Sequence, residues 1–352
     1  MAPRRAVICS YRLGMRDGVS VEAAKWAWAL GRLGYEVRTV AGAGEADTLL
    51  DGLALEPGPP PDPAAIDAAF EGADVVIVEN LCSLPLNPAA GAAVAAALAG
   101  RPAVLHHHDL ALERPALAHL GPPPDDPSWV HVCASDAARR LLGAHGITAR
   151  TVRNSFDLRP PTGDRSGTRA RLGVGAGDRL VLQPTRAIAR KAVPEGVRLA
   201  ERLGATYWLT GPVEEGYEAE LAAVLGGART PVLHRAAGEG PQAMADAYAA
   251  CDLVVLPSRL EGFGNPAVEA AVHRRPVAVG GYGVAGELRS LGFSLFELDD
   301  LAGITAALER PDPAVFDCNA AAAAMHCDLD DLPGRIGDVL ASLPERSPAG
   351  TP

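Results

Sequence analysis

The segment Leu256–Ala270 reads Leu-Pro-Ser-Arg-Leu-Glu-Gly-Phe-Gly-Asn-Pro-Ala-Val-Glu-Ala. A buried strand ends at Leu256, a loop carrying Gly262 and Gly264 follows, and a helix opens at Asn265-Pro266. Asn is a good N-cap and Pro a good first helical residue. The glycines let backbone N–H groups approach a ligand closely, and the helix N-terminus behind them favours negative charge. This pattern predicts a phosphate site that needs no metal. Glu261 stands in the loop and Glu269 one turn into the helix. With Asn265 as N-cap, Glu269 is the fourth helical residue, whereas a capping box uses the third. Helix capping therefore does not account for Glu269, and a plain solvated glutamate is the bland alternative.

A second chemistry-bearing cluster is His106-His107-His108-Asp109, at the end of an apolar run. Consecutive histidines suggest zinc, but neighbours on a strand point to opposite faces, so they do not readily share one ion. One functional histidine beside two packing ones is the expectation. Six cysteines, with no C-x-x-C pair and mostly beside apolar runs, read as buried reduced thiols.

These residues need elements to position them. Short apolar strand-like runs alternate with helical segments through the whole chain, the pattern of a parallel sheet covered on both faces. In the first half the strands read as 6–9, 36–40, 75–78, 103–106, 130–134 and 150–152, with helices between them. The polar, Gly/Pro-rich stretch 160–167 reads as an interdomain linker. The alternation then restarts, with strands at 180–183, 206–209, 231–233, 253–256, 276–279 and 294–298. The fold expected is α/β, two doubly wound Rossmann-like domains facing a central cleft, at 1–155 and 168–312. A helical tail, 313–352, packs back toward the first domain. In such sheets ligands bind at the carboxyl ends of the strands, where the site candidates fall.

Bulk properties bound the function. A chain of 352 residues suits two domains, and its formal charge of -11 is spread over both halves, so no basic face for nucleic acid or anionic lipid is evident. The start enters a strand-like run without an apolar signal segment, and no stretch reaches the roughly 20 apolar residues of a membrane span. A cytoplasmic protein without membrane association is expected.

The segment around Glu261 and Glu269 resembles the E-x7-E signature of retaining glycosyltransferases of the GT-B type, family 4 in particular. The approach Ala249-Ala-Cys-Asp-Leu-Val-Val-Leu-Pro-Ser resembles that family as well. The resemblance implies that Glu261 lies by the transferred sugar and Glu269 holds the nucleotide ribose, with Gly262, Phe263, Gly264 and Asn265 lining the donor. It also implies an Arg and a Lys just after the first strand of the second domain, here Arg186 and Lys191, with Arg190 a nearby competitor. The leaving diphosphate gains negative charge as the glycosidic bond breaks, and fixed cations stabilise it. Lys191 is one of only two lysines in the chain, the other being Lys25. By the same resemblance Gly211 belongs to a loop near the base, Gly18 to the loop over the donor phosphates, and His108 faces the transferred sugar. Asn154-Ser-Phe-Asp157 resembles the family's crossover, with Ser in place of Gly.

The implied activity is retaining transfer of a hexose-type sugar from a nucleoside diphosphate sugar to a small-molecule or glycan acceptor, with no cofactor and no metal. Rivals are a GT-B phosphorylase, a nucleotide-sugar epimerase and a non-catalytic nucleotide-sugar-binding protein. A dinucleotide-dependent oxidoreductase lacks its G-x-G-x-x-G after the first strand.

Overall fold

A computed structural model of the chain describes residues 3–344 apart from 16, 56, 57, 236 and 239. The last eight residues of the expected tail, 345–352, thus lie outside the described residues. The chain divides into two units, one made of Met1–Ser155 with Leu329–Pro352 and the other of Phe156–Asp328.

In the first unit β1 (Arg4–Leu13) leads into α1 (Gly18–Arg32), followed by β2 (Tyr35–Gly44), the short β3 (Thr48–Leu49) and α2 (Pro63–Ala69). Then come β4 (Val75–Glu79), α3 (Pro88–Leu98), β5 (Ala103–His107), β6 (Trp129–Cys133), α4 (Asp136–Ala144) and β7 (Ala149–Thr151). The seven strands form one sheet in the order β3-β2-β1-β4-β5-β6-β7. Every pairing in it is parallel. Runs such as Val75-Val-Ile-Val are apolar at every position because both faces of a parallel sheet are covered. Ala23, Trp26, Ala29 and Leu30 recur at helical spacing on α1 and pack on one face, while α2 and α3 cover the other.

The second unit begins with α5 (Arg165–Leu172), β8 (Leu180–Gln183), α6 (Val193–Leu203), β9 (Thr206–Leu209), α7 (Glu218–Gly226) and β10 (Val232–His234). It continues with α8 (Gly240–Ala250), β11 (Leu253–Leu256), α9 (Asn265–Val272), β12 (Val277–Val279), α10 (Gly283–Ser290), β13 (Phe296–Glu297), α11 (Leu301–Glu309) and α12 (Pro313–Cys327). Its six strands are also all parallel, in the order β10-β9-β8-β11-β12-β13. The strand order reverses between β1 and β4 in the first sheet and between β8 and β11 in the second, and these reversals are where doubly wound sheets open a crevice.

The first unit breaks at Ser155, the expected boundary, but the start of the second unit and the division of the tail differ from those expected. Residues 160–167 are not a loose linker, because Asp164 caps α5 and the Arg165 guanidinium donates to the carbonyls of Ala249, Ala250 and Cys251 and pairs with Asp252. The second unit therefore starts at Phe156, whose N–H donates to the Cys327 carbonyl at 2.7 Å. The tail likewise divides at Leu329 rather than at Pro313. Helix α12 stays with the second unit: the Asn319 amide bonds both main-chain groups of Ser294, and Asp317 pairs with Arg274 at 2.7 Å. Only the following helix, α13 (Leu332–Leu340), packs on α1, placing Leu332, Ile336 and Val339 in the core of the first unit.

Five of the six cysteines are buried, as expected, and Cys318 on α12 is exposed. Among the described residues no helix is long and apolar enough to cross a membrane.

Candidate active site

In the second unit the loops after β8 and β11 lie on either side of the strand-order reversal and are bound to each other. Lys191 ends a short 3-10 turn after β8, and its Nζ donates to both carboxylate oxygens of Glu261, at 2.6 and 2.8 Å. The two side chains, which sequence reasoning placed in the site separately, are thus one ion pair, and it is nearly enclosed: Lys191 is 8% exposed and Glu261 7%. Burial lowers the Lys191 ammonium below its usual range, and the facing Glu261 carboxylate works against that loss of charge. Arg190 is no bystander, since its guanidinium donates to the Leu260 carbonyl at 3.0 Å and stands 3.7 Å from Glu261. The Arg259 N–H returns a bond to the Arg190 carbonyl, so the loops carrying Lys191 and Glu261 hold one another.

The start of α9 differs in detail from the expectation. Gly264, not Asn265, is the N-cap, in the left-handed region at φ 91°, and Asn265 is the first helical residue. A Cβ at Gly264 would be strained by that backbone and would stand 3.2 Å from the Tyr282 hydroxyl, which is why glycine fits and asparagine does not. The shift moves Glu269 one position further from any capping box. Phe263 is buried in the same loop. Glu269 accepts a hydrogen bond from the buried Tyr248 hydroxyl, and the Tyr248 ring stacks on His273 at 4.6 Å. The carboxylate is thereby anchored to α8 while it projects from α9.

Arg186 is not drawn into the Lys191–Glu261 pair. Its Nη1 meets Glu214 at 2.6 Å, and both side chains are partly exposed. Gly211 has a backbone reason to be glycine: a Cβ there would lie 2.2 Å from the Thr185 carbonyl, where the loop after β9 closes on the loop after β8.

In the first unit Gly18 is the first residue of α1, with open space where a Cβ would project. The helix N-terminus beside it is already met by a carboxylate: Asp17 accepts from the N–H groups of Val19 and Ser20 and pairs with Arg12 at 3.1 Å. His106, His107 and His108 separate as strand geometry requires. His107 turns to one face and meets His131 at 2.9 Å, which in turn reaches Asp125 at 3.1 Å. His106 and His108 share the α1 face with Glu79, the last residue of β4. Glu79 Oε2 lies 2.6 Å from His108 Nε2 and 2.9 Å from His106 Nδ1. Two ligands each about 2 Å from a tetrahedral ion stay roughly 3.3 Å apart. The 2.6 Å contact is closer than that, a hydrogen bond, while one ligand atom from each of Glu79, His106 and His108 lies within 4.8 Å of the others, close enough for the three to hold a metal ion. Sequence reasoning passed over Glu79; the available signal was a carboxylate closing a run of four apolar residues in a fully buried strand.

With this geometry in hand, comparison with known proteins identifies the second unit. Residues 187–310 match the family Glycosyl transferases group 1, a span that holds Lys191, Gly211 and the whole loop from Glu261 to Glu269. The second unit thus carries a glycosyl transferase group 1 domain. Mannosylglucosylglycerate synthase of Thermotoga maritima is 26% identical over 84% of this chain and 85% of that protein. D-inositol 3-phosphate glycosyltransferase of Rhodococcus erythropolis is 33% identical over 42% of this chain and 37% of that protein. Among solved structures, HepE of Anabaena in complex with UDP-glucose superimposes with a TM-score of 0.75 at 21% identity, over 96% of this chain and all of that one. The chain therefore has the two-domain α/β fold, GT-B, that the sequence resemblance implied.

Proposed function

We propose that the protein is a retaining hexosyltransferase that moves a sugar from a nucleoside diphosphate donor to a small-molecule or glycan acceptor without a metal ion. The observation that carries this reading is the enclosed Lys191–Glu261 pair, at the strand-order reversal of the group 1 domain and next to the N-terminus of α9. In this reading the ammonium and the first turn of α9 face the diphosphate, with the Arg186 guanidinium near enough to act electrostatically on Lys191. Charge builds on that diphosphate as the glycosidic bond breaks, so preorganised cations favour the transition state over the bound donor. Glu261, held by Lys191, lies beside the transferred sugar, and Glu269 takes the ribose. Attack comes from the face of the departing diphosphate, whose phosphate oxygen accepts the acceptor's proton. The protein orients reactants and stabilises charge, with no protein nucleophile. UDP-glucose in HepE and the mannosyl and glucosyl groups in the name of the Thermotoga maritima relative support a nucleoside diphosphate hexose as donor.

The reading is tested by incubating the protein with UDP-, GDP- and ADP-hexoses and an acceptor panel, and by determining the anomeric configuration of the product. Retention of the donor's configuration is expected, and an inverted product overturns it. Transfer is expected to persist undiminished in excess EDTA, since protein cations do the work of a metal. Complete loss in chelator, restored by magnesium or manganese, contradicts the metal-free reading.

Glu269→Ala is expected to weaken nucleoside diphosphate affinity in calorimetry. It also leaves the buried Tyr248 hydroxyl without its carboxylate partner, a cost of about 1–3 kcal/mol in stability. Adding Tyr248→Phe removes the orphaned hydroxyl, so the double variant regains much of the stability and none of the affinity. Unchanged affinity in Glu269→Ala takes the residue out of the donor site.

A further inference from the structure

The face of the first sheet under α1 holds a polar cluster that packing does not require. Glu79 and His106 are direct neighbours in the β4–β5 pairing, and His108 follows on the same face two residues later. The Glu79 side chain is 0% exposed, and its Oε1 has no hydrogen-bond partner. Its Oε2 accepts from His108 Nε2 at 2.6 Å. The main chain is held as well: the N–H groups of His108 and Asp109 both donate to Asn80 Oδ1 at 3.0 Å, and Asn80 sits at φ 60°. Residues 79 and 80 thus grip both the ring and the backbone of His108. A buried carboxylate at the end of an apolar strand is costly unless it is paired.

We propose that Glu79 is a positioning residue for His108, turning Nε2–H into the sheet and so presenting a protonated Nδ1 to the donor sugar. This rests on the reading of His108 as the sugar-facing histidine. The groups around the ring agree on one charge arrangement. Burial opposes ionisation of Glu79, yet the two imidazoles outweigh it and hold the carboxyl down to about 2. Burial also opposes charge on His108, but the hydrogen bond and charge of Glu79 raise it above its ordinary value, with Glu22 of α1 and Asp109 adding to the effect. Burial prevails at His106, which stacks on Trp26 at 4.3 Å and is pushed below its ordinary value. Glu22 is itself paired with Lys25 at 2.7 Å, which limits its pull on His108. The Glu79 carboxylate therefore favours the charged form of His108, while burial favours the neutral form of His106. Protonated His108 donates through Nδ1, and the ring loses that ability as the pH rises through its raised pKa.

The test is Glu79→Gln, which keeps the shape and an acceptor oxygen but removes the charge. Turnover at pH 7.5 is expected to fall roughly tenfold or more with little change in donor KM. The alkaline limb of the turnover profile moves to lower pH by about one unit or more, and activity returns on acidification. Glu79→Asp, which keeps the charge on a shorter arm, gives an intermediate profile. A Glu79→Gln profile that matches wild type, with only the melting temperature lowered, makes Glu79 structural and overturns the proposal. Should that variant fail to fold, histidine-selective NMR of the unmodified protein decides: His108 titrating at or below the ordinary histidine value overturns it too. His108→Ala separates the two levels of inference. Wild-type turnover there removes His108 from the site and the role of Glu79 with it, whereas a severe loss combined with an unmoved Glu79→Gln profile sinks the role of Glu79 alone.

Discussion

Lys191→Ala is expected to lower turnover by roughly 10²–10³-fold, the loss usual for one preorganised charge-stabilising group. The loss falls on kcat more than on donor affinity, because the diphosphate gains charge only as the bond breaks. The structure adds a second consequence. Removing Nζ takes away both contacts of the Glu261 carboxylate at 2.6 and 2.8 Å and leaves the Arg190 guanidinium at 3.7 Å as its nearest cation. Breaking a buried pair from one side typically costs about 3–5 kcal/mol, so the melting temperature falls along with activity. Arg186→Ala separates the two effects. Its partner Glu214 is partly exposed, so a comparable loss of turnover comes with a much smaller loss of stability. Lys191→Arg keeps the charge on a larger, flatter head group and retains partial activity. From the sequence, Arg190→Ala looks like a mild control, but its bond to the Leu260 carbonyl disqualifies it. Arg198, exposed on α6 and paired with nearby Glu195, takes that place. If Lys191→Ala lowers the melting temperature while turnover stays within a few-fold of wild type, the pair is a structural bridge and the diphosphate is held elsewhere.

What the sequence made legible was local. The loop from Glu261 to Glu269 announces itself because its glycines, its proline and its polar residues follow an all-apolar strand, and each has a meaning within a few positions. The alternation of strands and helices gave both sheets, since parallel strands buried on two faces are continuous apolar runs. Contacts across long separations left no such trace. Nothing in the letters joins Lys191 to Glu261, 70 positions on, or His107 to His131, 24 positions on. The misplaced cap has the same origin. Asn265 has the better side chain for an N-cap, but the chain must turn through φ 91° one residue earlier, and only the fold reveals that demand for glycine. The stretch 160–167 misled because its polar, glycine-bearing composition belongs equally to a linker and to a capped helix start, and the Arg165 contacts that decide between them lie 84–87 positions away.

Glu261→Gln approaches the same pair from the other side, and its pH dependence makes it the sharper experiment. The substitution preserves volume but leaves the enclosed Lys191 ammonium facing a neutral amide. On the proposed role of Glu261 beside the sugar, turnover is expected to fall roughly 10²–10³-fold, the loss usual for one preorganised charge-stabilising group. In the native protein burial already lowers the Lys191 pKa, and Glu261 resists that lowering. Without Glu261 it falls further. The folded protein then binds fewer protons than the unfolded chain over a window from this depressed value up to the ordinary lysine value, so stability rises with pH across that window. The window is wider in Glu261→Gln than in wild type. Thermal melts from neutral pH to about pH 10 are therefore expected to show the variant recovering stability more steeply than wild type, from a lower start. Residual turnover moves the opposite way: its alkaline limb shifts to lower pH, because a deprotonated Lys191 no longer offsets the charge on the leaving diphosphate. Parallel melting curves and an unshifted limb in the variant would mean that Glu261 does not sustain the charge on Lys191, and the cation acting on the diphosphate would have to be sought in Arg186 instead.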